Sequence, residues 1–304
     1  MQILAQPCKF IAYSLCIFMV CLFYLLWYSL AFAADSSHLK SLQVGVNLQV
    51  RAYLQGPYEA STDLMQDDLR AKGLLPLHQP YRQAPFLYQG SETLNRSLTS
   101  VSVGGDEEAL IDWLLLELRS ASNPTLVLAQ KAVGLQADGD LMDVQTGSTT
   151  LAFLNLSAGA YYVSLRHRNH LGVVSASALS LSFTSSLIDF SDPLFTVAGQ
   201  HSRYLYKTKA LLWAGDLSQD KKIIAHGSGS DNTLLISTVL SASANTAFNT
   251  SYRLNGYAAT DLNLDGETLA VGPDNDSRLI YSNILSYPAN TSFAGNYILR
   301  GNGY

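Results

Sequence analysis

The sequence predicts a mainly β chain, a β-sandwich followed by a small helix-containing pair of repeats. Three observations predict it. Short stretches of alternating apolar and polar residues, punctuated by turn signals, fill much of the region before position 208. Beyond it the chain repeats itself at an offset of 45 positions, so that Asp216-Leu-Ser-Gln-Asp220 lines up with Asp261-Leu-Asn-Leu-Asp265. A composition 48% hydrophobic and only 14% charged suits a packed, β-rich protein rather than a disordered one.

The chain opens on an export signal. Lys9 supplies a minimal positive region, Phe10 to Phe32 is almost continuously apolar, and Ala31-Phe32-Ala33 is a small-x-small cleavage pattern. Residues 1–34 are therefore expected to be a signal peptide. The run is also long enough to span a bilayer, so an uncleaved anchor is the competing reading. All three cysteines, Cys8, Cys16 and Cys21, fall in this segment. The exported chain then has no disulfide, no zinc-thiolate site and no cysteine nucleophile. It needs another source of rigidity, and bound calcium is a common one outside the cell. The net charge of −5 and the absence of a basic tract exclude nucleic acid as a partner. No membrane association is expected after cleavage. The localisation read from this is secreted or cell-surface.

Residues 35–207 read as the sandwich. From Leu42 to Leu54, Leu, Val and Ala alternate with Gln, Gly, Asn, Arg and Tyr, a strand with one buried face, and Gly56-Pro57 ends it. Ala109 to Leu118 has the length of a central strand or a buried helix. Its neighbours favour a strand, although Asp112 and Glu117 fit neither face. Thr125 to Leu135 and Leu141 to Val144 flank the hairpin signal Asp138-Gly139-Asp140. Thr149 to Leu156, Ala160 to Arg168 and Val173 to Phe183 continue the series. Within it, Leu156-x-x-Gly159-x-Tyr161-Tyr162-Val163-x-Leu165, followed by Asn169-x-x-Gly172, resembles the tyrosine-corner strand of immunoglobulin-like and fibronectin-III-like domains. The resemblance implies that a tyrosine hydroxyl closes the corner on nearby backbone.

Several polar clusters read as plain surface. Arg166-His167-Arg168-Asn169-His170 falls at a strand end, and its basic residues disfavour a cation, so a solvated hairpin tip is expected. Asp138, Asp140 and Asp143 are explained by the hairpin turn, and Asp67-Asp68 by an exposed loop. No nucleophile elbow, zinc-protease motif or phosphate loop is present, so the chain is expected not to be an enzyme.

Residues 208–304 divide into repeats over 208–257 and 258–304. The second contains Asp261-x-Asn263-x-Asp265-Gly266, the opening of a calcium loop. Oxygens at loop positions 1, 3 and 5 point inward, glycine at 6 permits the turn, and position 7, Glu267, offers its carbonyl. Position 12 is Gly272, so Asp276 is the candidate closing acid, placed where it could also cap the helix predicted from Arg278-Leu279-Ile280-Tyr281 and Ile284-Leu285. In the first repeat Asp216, Ser218, Asp220 and Asp231 keep the frame and Lys222 stands at the carbonyl position. Lys221 replaces the turn glycine, so weaker binding is expected there. The shared Asn-Thr-x-Phe and Tyr-x-Leu segments are expected to pack the repeats together.

The loop–helix–loop–helix pattern resembles a dockerin-like pair of calcium half-hands over the last third of the chain. It departs from that pattern in the insertion Gly272-Pro273-Asp274-Asn275. Such repeats behind a β-domain also resemble the exported "hemagglutinin-like" surface proteins of bacteria. These resemblances imply Ca2+ as the cofactor and a non-catalytic structural or adhesive role at the cell surface or in the extracellular matrix. The partner classes left open are a protein or carbohydrate surface ligand and self-assembly. The alternative is a calcium-dependent docking module that attaches to a partner protein of a secreted polysaccharide-degrading complex.

Overall fold

The computed structural model describes residues 45–98 and 106–301. The export segment and the first residues of the strand predicted over 42–54 lie outside that range. Eleven strands build the first part: β1 (Val46–Arg51), β2 (Tyr58–Glu59), β3 (Leu64–Met65), β4 (Leu110–Ser120), β5 (Val127–Gln136), β6 (Leu141–Met142), β7 (Leu151–Phe153), β8 (Gly159–Arg166), β9 (Val173–Val174), β10 (Leu179–Leu181) and β11 (Ser186–Asp189). A three-stranded sheet has the order β11-β1-β7. A six-stranded sheet runs β10-β8-β4-β5-β6, with β9 also on β8. β1 is antiparallel to β7 and parallel to β11. The fold is mainly β and consistent with a β-sandwich. Val46, Leu48 and Val50 from the small sheet share one core with Leu114, Leu116, Leu118, Val133 and Val163 from the large one.

β4 settles the ambiguous run. It is a strand, and it is apolar on both sides because both sides are covered. Leu114, Leu116 and Leu118 face the shared core, whereas Trp113 and Leu115 pack beneath Tyr81, Tyr88 and Leu94 of the preceding segment. The Tyr81 hydroxyl donates to the Trp113 carbonyl at 2.6 Å, and the Trp113 indole to the Pro76 carbonyl at 3.0 Å. Burying each leucine contributes about 1.5–3 kcal/mol. Glu117 survives in this strand because Arg119 and Gln130 hydrogen-bond its carboxylate. The tyrosine corner is present in geometry: the Tyr161 hydroxyl donates to the Ser157 carbonyl at 2.6 Å.

Helix α1 (Asp68–Ala71) lies where an exposed loop was expected, and Asp67 accepts from Arg70 at its start. The remaining elements are β12 (Tyr204–Tyr206), β13 (Lys209–Leu211), β14 (Lys222–Ile224), α2 (Asp231–Ser241), β15 (Leu254–Asn255), β16 (Glu267–Thr268), α3 (Ser277–Ser286) and β17 (Ile298–Arg300). β14 pairs antiparallel with β17, so the two repeats exchange strands. Their shared core holds Leu217, Ile223, Leu235, Val239, Leu262, Ile280, Ile284 and Leu299. Packing runs through position 207 without a gap. Leu211, Leu212 and Leu264 belong to the sandwich core, and Leu171 belongs to the repeat core. Residues from Gly45 onward form one compact unit. Among the described residues no helix is long and apolar enough to cross a membrane.

Candidate metal centre

The two acidic loops use the same hydrogen bonds at the 45-residue offset. Leu217 N–H donates to Asp231 Oδ1 at 2.9 Å, and Leu262 N–H to Asp276 Oδ1 at 2.7 Å. Ile224 N–H and Leu269 N–H each reach the other oxygen of the same carboxylate at 2.8 Å. After each helix an asparagine ties off the chain. Asn245 donates to the Val239 carbonyl at 2.9 Å and Asn290 to the Ile284 carbonyl at 2.7 Å, while each accepts a backbone N–H four residues on.

In the second loop Asp261 is fully buried and Asp276 nearly so, whereas Asn263, Asp265 and Glu267 are half-buried. The Asp261 carboxylate accepts from Asp265 N–H at 3.2 Å and Gly266 N–H at 2.9 Å. Gly266 has φ +83°, the left-handed conformation that the turn requires and glycine adopts freely. Asn263 Nδ2 donates to Asp265 Oδ2 at 3.0 Å. Glu267 N–H donates to Asp265 Oδ1 at 2.8 Å. Burial first, then Asp276 and Asp265, raises the Asp261 pKa to about 8 against the opposing charge of Arg168. Burial raises that of Asp276 to about 6.

In the first loop Asp216 and Asp231 are buried while Ser218 and Asp220 are exposed. Asp216 Oδ1 is buried without a hydrogen-bond partner. Burial, with Asp231 and Asp220 nearby, raises its pKa to about 8. Lys222 Nζ sits 2.9 Å from Asp220 Oδ2, so a side-chain cation already serves that carboxylate. Lys221 holds the turn at φ +67°.

The expected dual role of Asp276 is divided between two residues. Its carboxylate accepts from the loop and makes no helix cap. The cap is Asn275, whose Oδ1 accepts Arg278 N–H at 3.0 Å, matching Ser230 on Thr233 N–H at 3.1 Å in the first repeat. The packing expected of the Asn-Thr-x-Phe segments is corrected too. Phe248 and Phe293 are 74% and 73% exposed, and Tyr252 and Tyr297 pack on the core instead.

Among the described residues no three acidic, histidine or cysteine side chains gather closely enough to hold a metal by themselves. The second loop's donors also include an amide and a backbone carbonyl. They are oxygens throughout, the set a hard cation such as calcium takes. In the second loop the interior carboxylates Asp261 and Asp276 repel one another, with Arg168 as a partial counter-charge, and in the first the buried Asp216 Oδ1 has no hydrogen-bond partner; each arrangement is compatible with a positive ion. Asp138, Asp140 and Asp143 form no such loop. They serve the β5–β6 hairpin, Asp140 pairing with Arg51 and Asp143 with Lys131, each at 2.7 Å.

Sequence reasoning missed the polar joint behind the second loop. His167, Asn169 and His170 are fully buried and Arg168 nearly so, the opposite of a solvated tip. Asp112, re-aimed by a bulge in β4, is their counter-charge. It lies 3.1 Å from His167 Nε2, and accepts from Arg168 Nε at 3.0 Å and the Tyr257 hydroxyl at 2.6 Å. Burial alone would raise the Asp112 pKa, but Arg168 and these hydrogen bonds hold it well below the usual carboxylate range. Burial lowers the pKa of both histidines. The available signal was complementary: an acid stranded in an apolar strand and a basic cluster at the end of another.

No family model matches the chain, and no curated protein matches it. Among solved structures it is similar to a type II cohesin–X-dockerin complex from Acetivibrio cellulolyticus, an N-terminal interface mutant. The match has 16% identity, covers 56% of this chain and 78% of that one, and has a TM-score of 0.29. An overlap that loose fixes neither fold nor partner.

Proposed function

We propose that this chain is an exported, non-catalytic, calcium-stabilised surface or matrix protein, with the sandwich as its structural or adhesive body. In this reading Ca2+ sits in a dockerin-like loop made by Asp261, Asn263, Asp265, the Glu267 carbonyl and Asp276. The first loop binds more weakly through Asp216, Ser218, Asp220, Asp231 and the Lys222 carbonyl. The observation that carries the reading is the burial of Asp261 and Asp276 together in an all-oxygen loop. Two desolvated carboxylates in one loop are costly as anions, a cost that Arg168 and the backbone N–H donors offset in part and a bound cation would offset further. Bound, the ion supplies charge neutralisation, and its binding energy becomes folding energy. Extracellular sites of this kind have a Kd of about 10⁻⁴ to 10⁻³ M. Calorimetric titration should therefore show saturable calcium heat. At calcium a hundredfold above Kd the gain is about 2.7 kcal/mol, or about 5–10 °C in Tm. An identical melt with calcium and with chelator would refute the site.

A second reading is favoured by Phe248 and Phe293, large apolar side chains left in water at equivalent positions of both repeats, each at positive φ. They suit a docking module that presents the repeats to a partner protein. Calcium-dependent capture of a defined partner, lost in the Phe248→Ser, Phe293→Ser double variant, is the expected result. Capture indifferent to both calcium and the two phenylalanines argues against docking.

A further inference from the structure

The second loop does not hang from the sandwich; it is built into it. The Asn169 amide donates to the carbonyl of Asp261 at 2.5 Å. The Arg168 guanidinium donates to the Ala258 carbonyl, and the Lys72 ammonium to that of Asp265. Gly56, just beyond β1, approaches the loop so closely that a Cβ there would lie 1.7 Å from the Leu262 carbonyl, and its own N–H donates to His170 Nε2 at 3.1 Å. Gln55 and Asn283 exchange amide hydrogen bonds at 2.7 and 2.9 Å, which fastens α3 to the same turn. On the far side the corner 167–170 leads directly into Asp112 of β4.

We propose that the corner Arg168-Asn169-His170 is a mechanical joint through which occupancy of the second loop sets the stability of the β-sandwich, so that the two fold and unfold as one calcium-linked unit. The inference rests on the calcium reading above but makes a separate demand. A loop merely tethered to a sandwich would stiffen by itself. A loop whose first ligand residue is held by the sandwich cannot come apart without releasing Asn169, and Asn169 cannot move without disturbing His170, which contacts His167 at 3.1 Å between ring nitrogens. The Arg168 guanidinium is further held against the Tyr257 ring, 4.1 Å from its centroid.

The test is hydrogen exchange of the full chain, read over β4 and β8, in saturating calcium and in chelator, beside calorimetric titration of the same sample. Amides of β4 and β8 should exchange about a hundredfold more slowly at calcium a hundredfold above Kd. Asn169→Ala should still give calcium heat, while the gain in β4 and β8 falls below about tenfold. Calcium heat with slowing confined to residues 254–290 overturns the joint and leaves the calcium site standing. Full slowing of β4 and β8 in Asn169→Ala overturns the role of the corner. No calcium heat in the wild-type chain overturns site and joint together. Where Asn169→Ala fails to fold, Asn169→Ser, which also removes the donor to the Asp261 carbonyl, is read by the same criteria.

Discussion

The second loop and the first share one pattern and differ in what balances their acids. In the second, Gly266 makes the turn, the Asp265 carboxylate has no lysine partner among the described residues, and the backbone is gripped by Asn169, Lys72 and Arg168. In the first, a lysine makes the turn and its neighbour Lys222 neutralises Asp220 from within the chain, while the Lys221 carbonyl accepts from Gly301. On the proposed reading the second loop takes its cation from outside, whereas the first already holds one of its own in Lys222. The buried acidic frame is common to both loops because Asp231 and Asp276 also hold them by accepting backbone N–H groups.

The comparison breaks most visibly on paired alanine variants. Asp265→Ala should remove most of the roughly 2.7 kcal/mol calcium-dependent stabilisation, measured by thermal melts with and without chelator, whereas Asp220→Ala should remove little of it. Equal losses would make the two loops equivalent. The same melts carry a pH signature. Without calcium the folded-state pKa values of Asp261 and Asp216, about 8, and Asp276, about 6, lie above the ordinary value of 3.8. The stability these groups contribute is therefore full below about pH 4 and is lost as pH rises toward 8. A cation bound at the proposed site competes with those protons, so the stabilising shift from calcium should grow across that window. A calcium shift that is flat from pH 5 to 8 would place the ion elsewhere. The smallest effect sharpens the contrast. Lys221→Gly relieves a left-handed lysine and should raise stability by about 1 kcal/mol in chemical denaturation, with tighter calcium binding at the first loop.

Much of the fold was legible because its signals are local. Alternation from Leu42 onward anticipated β1, and Leu156-x-x-Gly159-x-Tyr161 anticipated a hydroxyl-to-backbone bond four residues long in sequence. The run around Leu114 was harder, since a strand buried on both faces loses the alternation that identifies strands. What the sequence concealed was long-range. Nothing local distinguishes a solvated Arg-His-Arg-Asn-His tip from the same residues folded inward. The deciding partners, Asp112 and Asp261, lie 56 and 92 positions away from Arg168 and Asn169 respectively. The cap was misplaced by one residue for a related reason: an aspartate ahead of a helix suits both tasks, and only the neighbouring Asn275 shows which task is already filled.

The knots at Asn245 and Asn290 have a consequence for how this protein meets a changing environment. Each is tied by a neutral amide, so neither acid, nor salt, nor loss of a metal ion weakens it directly. On the proposed reading the front of each repeat responds to metal and pH, while the asparagine tie at the back has no ionisable or metal-binding group of its own. Loss of the proposed ions therefore removes no partner from these ties, which depend on the surrounding fold alone.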